Sequence, residues 1–299
     1  MVSVIIVNWN TGRLLTQCLE SLRDLPLEKE RNLISRVLVV DNASTDDSLE
    51  RAERLDIRGL PVAFKKLSEN VGFSHANNLA WEKVSDSDHV WLLNPDTVVK
   101  PGALAALLAK LKGEGVSIVG PKLLNTDGSW QPSVRKLPSL LVFVWMFFKL
   151  SRVWPGVIWW REYIQKDFDF SKEQEVDQVM GAAFLINNST WRKLGRLDDK
   201  FYLWFEEVDY CERVKTAGGQ IWYVPQAEVI HFGAASFDQL VGWAKTGPFL
   251  KSSLRYARKH LGVGAWLALL GLTPISLLLV GPAMIWHIWK RKNNQVRLT

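Results

Sequence analysis

The sequence is poor in cysteine, has no acidic residue along its last fifth, and contains no internal repeat. Cys18 and Cys211 are the only cysteines among 299 residues and have no metal-site spacing, which excludes a disulfide framework and a cysteine-built zinc site. Cys18 falls at a core position of a helical pattern, so a reducing compartment is expected. From Gln239 to Thr299 there is no Asp or Glu but there are nine Lys and Arg, leaving 28 basic against 31 acidic side chains in the rest of the chain. The formal charge of +6 therefore belongs to the tail. A body of the opposite sign is a poor binder of a phosphate backbone, so nucleic acid is not an expected partner. No basic stretch and long apolar run precede Asn8 and Asn10; no secretory leader is expected, and the body should lie in the cytoplasm.

What is present is an alternation of short apolar runs with helical patterns. Val4 to Val7, Val37 to Val40, Val62 to Leu67, Val90 to Leu93 and Val116 to Val119 read as strands. Between them, Leu14, Leu15, Cys18, Leu19 and Leu22 recur at helical spacing behind Thr11 as cap, a helix is expected over 73–84, and Pro101 is expected to open another. Repeated strand–helix units imply a parallel sheet with helices on both faces and ligands beyond the carboxyl ends of its strands. Asp41 and Asp96 stand just past two such ends. Further on, Asp127-Gly128 marks a hairpin turn, Val179 to Ile186 a strand, Ser189 and Gly195 the ends of a short helix, and Glu206 to Ala217 a longer one; Ile221 to Val224 and Val229 to Phe232 read as late strands.

Two stretches are strongly apolar. Residues 137–160 hold an unbroken apolar run, Leu140 to Phe148, and the aromatics Trp145, Phe147, Phe148, Trp154, Trp159 and Trp160, with only Lys149 and Arg152 charged. Near the end, Phe249 to His260 reads as a basic helix with Lys251, Arg255, Arg258 and Lys259 on one face, followed by Leu261 to Trp289 without a charged side chain. Fully helical, that stretch would measure roughly 43 Å against a hydrocarbon core of about 30 Å. Gly271, Pro274, Gly281 and Pro282 interrupt it and basic residues flank both ends, which favours a kinked re-entrant hairpin over a straight span.

Sugar transfer from a nucleoside diphosphate needs a held base and ribose, a neutralised leaving diphosphate and a deprotonated acceptor hydroxyl. A carboxylate at Asp41 suits a pyrimidine N–H, although Asp also caps turns of this kind. Asp96, in Asn94-Pro95-Asp96, suits a hard divalent cation, or an ordinary Asn-Pro turn. Glu206, Glu207 and Asp209 crowd a helix start; acidic side chains there answer the helix dipole, and one of them suits a general base. His231 can complete an oxygen-rich site for Mg2+ or Mn2+, or be structural.

Taken in order, Val4-Ile5-Ile6-Val7-Asn8-Trp9-Asn10, Val40-Asp41-Asn42-Ala43-Ser44, Asn70-Val71-Gly72-Phe73 with Asn77-Asn78, Leu92-Leu93-Asn94-Pro95-Asp96, Gly181-Ala182-Ala183-Phe184, Phe205-Glu206-Glu207-Val208-Asp209-Tyr210-Cys211 and Val229-Ile230-His231 resemble the inverting glycosyltransferases of family 2, especially bacterial rhamnosyltransferase-like members. The resemblance implies a GT-A fold (α/β, Rossmann-like, with a mostly parallel central sheet flanked by helices) over residues 1–236, and a membrane-associated helical segment over 237–299. It further implies Asp41 at the nucleotide base, Asp96 and His231 at a divalent metal, and Glu207 as catalytic base, with Glu206 and Asp209 as alternatives. Asn8, Asn70, Gly72, Phe73, Asn77 and Asn94 would line the nucleotide site. Asn94 stands where the family carries the first acid of its metal pair, and Glu207 where it usually carries Asp.

The expected protein is thus a metal-dependent transferase taking a sugar, with rhamnose favoured, from a nucleotide-sugar donor to a polyprenyl-linked saccharide at the cytoplasmic face of the membrane. The rival expectation is a non-catalytic partner subunit that retains the fold as an anchor.

Overall fold

A computed structural model of the chain describes residues 1–57, 59–86, 88–233 and 242–278. In chain order its strands are β1 (Val2–Asn8), β2 (Ile34–Asp41), β3 (Val62–Lys66), β4 (His89–Leu93), β5 (Thr97–Val99), β6 (Val116–Leu124), β7 (Val134–Arg135), β8 (Gln174–Glu175), β9 (Gln178–Val179), β10 (Ala183–Ile186) and β11 (Gln220–His231). Its helices are α1 (Leu14–Arg23), α2 (Ser48–Glu53), α3 (Phe73–Trp81), α4 (Ala103–Leu111), α5 (Leu140–Phe147), α6 (Ile158–Tyr163), α7 (Asn188–Leu194), α8 (Glu206–Thr216) and α9 (Trp243–Tyr256). A π-helical turn, Ala257–Leu261, follows α9, and helix α10 occupies 263–278.

The main sheet runs β3-β2-β1-β4-β10-β6-β11-β5, with β8 added to β11. Its first half is parallel, as the strand–helix alternation implies: β1 pairs in parallel with both β2 and β4, and β2 with β3. The second half is mixed. β10 lies antiparallel between β4 and β6, and β5 antiparallel to β11, while β6 and β11 pair in parallel, so the sheet is mostly parallel, as expected, with antiparallel strands inserted in this half. Central β1 is buried throughout, and its pleat divides it: Val2, Val4 and Ile6 face one core with α1 and α4, while Ile5 and Val7 face a second with α3 and α8. Helices on both faces are therefore observed.

Local chemistry shifts several boundaries. Thr11 does not cap α1 with its side chain; its hydroxyl donates to Asn8 Oδ1 (2.5 Å). Pro101 lies two residues before α4, whose start is shaped by Gly102 and by Glu30 accepting from the Gly102 and Ala105 amides. Asn187, not Ser189, caps α7, accepting from the Ser189 amide. The two late strands are one strand, β11, whose register shifts between Val224 and Glu228. The hairpin turn at Asp127-Gly128 forms, with Leu124 bridging Trp130.

A third apolar cluster lies beside the sheet domain. Phe143 and Phe147 of α5 pack with Phe201, Phe205 and Val208 at the start of α8, with Leu250 and Tyr256 of α9, and with Leu269 of α10. Residues 137–160 and the tail are thus mutually packed. The basic face expected over 249–260 is divided: Arg255 and Lys259 bind Asp198, while Arg258 lies over Trp266. The helical ladder of α10 runs through Gly271 and Pro274, so neither interrupts it. Among the described residues no helix is long and apolar enough to cross a membrane. The remainder of the expected apolar segment, 279–289, its Gly281 and Pro282, and the basic residues beyond it lie outside the described residues, as does the expected boundary at 236–237.

Candidate active site

The carboxyl ends of β1, β2 and β4 and the start of α8 surround two adjoining cavities. One, of about 590 Å3, is lined by Trp9, Asn42, Asn70, Gly72, Phe73, Asn94 and Asp96 on the sheet side, by Lys200, Tyr202 and Leu203 on the loop before α8, and by residues of α9. The other, of about 600 Å3, is lined by Gln131, Arg135, Tyr163, Gly181, Glu206, Glu207 and His231. Phe73 and Asn94 belong to both walls.

Asp96 and His231 meet where β5 pairs with the end of β11, His231 opposite Thr97. His231 Nε2 is 3.4 Å from Asp96 Oδ1, and both side chains are largely buried. Gln131 sets the imidazole: its Nε2 is turned to Asn125 Oδ1 (3.1 Å) and the His231 carbonyl (3.4 Å), so its oxygen faces His231 Nδ1 at 2.6 Å. An amide oxygen only accepts, so Nδ1 donates to Gln131 and Nε2 is the ring nitrogen turned toward the Asp96 carboxylate. With Nε2 unprotonated, that nitrogen and the carboxylate oxygen would face a shared cation. One imidazole and one carboxylate form too small a set to enclose a metal, and no larger group of His, Cys, Asp or Glu is placed to hold one among the described residues. Such a set fits Mg2+ or Mn2+, which take their remaining oxygens from substrate phosphate and water.

Glu207 lies at the start of α8, packed so closely that a Cβ on Gly181 would stand 3.4 Å from its side chain. The chain enters this helix through Trp204 (φ 65°) and Phe205 (φ 68°), left-handed conformations that bulky residues adopt only under constraint. Phe205 packs against Phe143, ring centres 5.2 Å apart, which holds that entry. Burial pushes the Glu207 carboxyl up, partly opposed by hydrogen bonds from the Glu207 and Val208 amides and by the Arg135 charge. Burial and then the neighbouring Glu207 push Glu206 further up. One oxygen of each, Oε2, has no hydrogen-bond partner.

Asp209 stands apart. Its fully buried carboxylate binds Lys259 (2.5 Å), His260 (2.7 Å) and Arg213 (3.1 Å). It lines neither of the two cavities, and these contacts occupy its oxygens, leaving it no freedom to take a proton from an acceptor. As an alternative base it is set aside.

The nucleotide-site residues also divide. Asn70, Gly72, Phe73 and Asn94 line the first cavity. Gly72 has φ 85°, and a Cβ there would meet the Tyr202 carbonyl at 2.6 Å; glycine is needed for α3 to start against that loop. Asn42 joins this group, donating to Asn70 Oδ1 (3.0 Å) and accepting from the Val71 amide (2.9 Å). Asp41, Asn8 and Asn77 lie behind the wall. Asp41 accepts from Asn8 Nδ2 (2.7 Å) and the Ser44 amide (3.1 Å), and Asn77 donates to the Phe73 carbonyl (2.9 Å). In this conformation they shape the turn and helix that present their neighbours.

Sequence reading missed Gln131, Arg135, Tyr202 and the α9 residues. Gln131 and Arg135 follow the Asp127-Gly128 turn, but no local pattern connects a glutamine to a histidine 100 residues away. Tyr202 donates to Asn70 Oδ1 (3.0 Å); its place in a run of aromatics was the only signal.

The strand-end cleft thus has an Asp–His pair on one side and a buried glutamate on the other, in a GT-A-like α/β fold. The chain belongs to glycosyl transferase family 2, whose model matches residues 3–195. It is 32% identical over 246 residues to the N-acetylglucosaminyl-diphospho-decaprenol L-rhamnosyltransferase of Mycobacterium tuberculosis, covering 78% of this chain and 76% of that protein. With the rhamnosyltransferase WbbL of Escherichia coli it shares 27% identity over 203 residues, 64% of this chain and 72% of that one. The fold is similar to that of the mannosyltransferase PcManGT of Pyrobaculum calidifontis, solved with GDP-Man and Mn2+, at a TM-score of 0.54 and 15% identity over all of this chain and 80% of the other.

Proposed function

We propose that this glycosyltransferase moves a sugar, L-rhamnose by preference, from a nucleoside diphosphate to a hydroxyl of a polyprenyl diphosphate-linked saccharide, with inversion and with a divalent metal. The carrying observation is the 3.4 Å approach of His231 to Asp96 beside the cavity that Glu207 lines. Asp96 and His231 would hold Mg2+ or Mn2+, which when bound offsets charge developing on the departing diphosphate. Glu207 takes the proton of the acceptor hydroxyl, whose oxygen attacks the anomeric carbon; the bond from that carbon to the diphosphate oxygen breaks, and the nucleoside diphosphate leaves. A single displacement inverts the anomeric centre. A carboxyl raised by burial suits this work, because a base acts best with its pKa near the operating pH. Asn42 and Asn70, locked to each other, and Asn94 offer amide groups to the nucleotide.

The preference for rhamnose and for a lipid-linked acceptor is supported by the two rhamnosyltransferase relatives, one of which is named for a decaprenol-linked substrate. It is supported also by apolar side chains left exposed around the third cluster: Leu141, Val153, Trp154 and Ile158 on one stretch, Val263, Leu267 and Leu278 on α10. Such a surface suits the cytoplasmic face of a membrane. Transfer is tested in a cell-free assay offering dTDP-rhamnose, UDP- and GDP-sugars with Mn2+, and either polyprenyl diphosphate N-acetylglucosamine or a water-soluble glycoside. Faster transfer to the lipid-linked acceptor, with an inverted product by NMR, is expected; equal transfer to the soluble glycoside would overturn the acceptor assignment.

A further inference from the structure

The tail helix α9 is not only an attachment to the domain. It is a wall of the cavity that contains Asp96: Trp243, Ala244, Gly247, Pro248, Lys251 and Ser252 line it. Lys200, on the loop that joins α7 to α8, lines the same cavity. The helix is held in this place by contacts to the same loop and to α8. Ser252 Oγ donates to the Leu203 carbonyl (2.8 Å), Arg255 Nη2 to both oxygens of Asp198 (2.6 and 2.8 Å), and Tyr256 Oη to Glu212 (2.7 Å).

The basic residues of this region therefore divide by use. Arg255 and Lys259 are engaged by Asp198 and Asp209. Lys251 lies one helical turn before Arg255, on the cavity side and exposed. Neither Lys251 nor Lys200 has an ion-pair partner among the described residues, and both ammonium groups belong to side chains that line the Asp96 cavity. A nucleoside diphosphate brings two to three negative charges into that space. One divalent cation held by Asp96 and His231 would leave part of that charge unbalanced. Flexible lysine ammonium groups, each with three donors, supply what remains.

We infer that Lys251, with Lys200 of the same cavity lining, binds the diphosphate of the nucleotide donor, so that the C-terminal helix is part of the donor site. The inference rests on the proposed placement of the donor in the Asp96 cavity. Both lysines are exposed, so neutral substitutions leave the packed helix intact.

The test is isothermal titration of the full chain, in detergent with Mn2+, with UDP, dTDP and the nucleosides uridine and thymidine. Lys251→Gln is expected to weaken the preferred nucleoside diphosphate about 10-fold, Lys200→Gln to a similar degree, and the double variant more. Nucleoside affinity should be unchanged, raised salt should weaken wild type more than the double variant, and Lys251→Arg should restore most of the binding. Unchanged diphosphate affinity in Lys251→Gln, or an equal loss for nucleoside and diphosphate, would overturn the inference. A wild-type chain that binds no nucleoside diphosphate with Mn2+ would instead overturn the donor placement beneath it.

Discussion

Gln131 and His231 form a 2.6 Å hydrogen bond that decides which imidazole nitrogen faces Asp96. The residues are 100 apart in sequence, and the bond turns Nε2 to the side where Asp96 stands. Partners of this kind tune a metal-binding histidine by about 10–100-fold in affinity. Gln131→Leu should therefore raise the Mn2+ concentration for half-maximal transfer by about that factor, with saturating Mn2+ recovering most of the rate. Metal titration of turnover checks this, and an unchanged requirement would show that Gln131 does not act through His231.

Glu206 has no assigned chemical step, and its burial makes it a cost to the fold at neutral pH. Its folded pKa is raised above the ordinary value of 4.5. The stability linked to that proton is therefore fully present below about 4.5 and is lost as pH rises through the raised folded value. Glu206→Gln removes the charge. It should raise the unfolding midpoint at pH 8 by about 2–4 °C and leave it nearly unchanged at pH 4. Thermal unfolding at the two pH values is the measurement; an equal effect at both would mean the shift lies elsewhere.

Asp198 and Asp209 obey the opposite sign. Burial alone would raise both, but hydrogen bonds and nearby charges (Arg255 and Lys259 at Asp198; a hydrogen bond from His260 and the charges of Lys259 and Arg213 at Asp209) hold both below the ordinary 3.8. Their contribution is fully present above about 4 and fades as pH falls through the lowered folded values. Asp209→Asn should therefore lower the unfolding midpoint clearly at pH 7 and much less at pH 3. It should also weaken nucleotide binding at pH 7, because the same contacts seat α9 against the donor cavity.

Gly72→Ala tests the loop that joins α3 to Tyr202. The φ of 85° and the 2.6 Å approach to the Tyr202 carbonyl leave no room for a methyl group. Strain of about 1–3 kcal/mol is expected, with a lower unfolding midpoint and a weaker donor affinity as Tyr202 and Asn70 are displaced. Normal donor binding in this variant would separate the loop from the nucleotide site.

Where sequence and structure agree, local physics was enough. The buried runs of β1, β2 and β4 and the helical spacing of Leu15, Cys18, Leu19 and Leu22 each declare themselves within about ten residues. The positions of Asp96, Glu207 and His231 on the cavity walls were legible because they sit at strand ends and a helix start, where alternation of elements implies a cleft. What escaped was set by long-range pairing. β10 enters antiparallel between β4 and β6, and nothing within Ala183–Ile186 states its direction. Asp41 has the composition of a ligand, yet Asn8 and Ser44 take its oxygens. Asp209 is indistinguishable from Glu207 by type, but lies two residues on, so the helical turn aims it at Lys259 and His260. The basic residues over 249–260 were legible but their pairing was not, because Asp198 and Asp209, which engage Arg255 and Lys259, are some 50 residues upstream.

The most direct test concerns Glu207. With turnover and Mn2+-dependent nucleoside diphosphate binding measured side by side, Glu207→Gln should lose turnover by a factor of about 10²–10⁴ while binding the nucleotide within about twofold of wild type. Retained turnover, or loss of nucleotide binding in step with turnover, would contradict the assignment of Glu207 as the base acting across from Asp96 and His231.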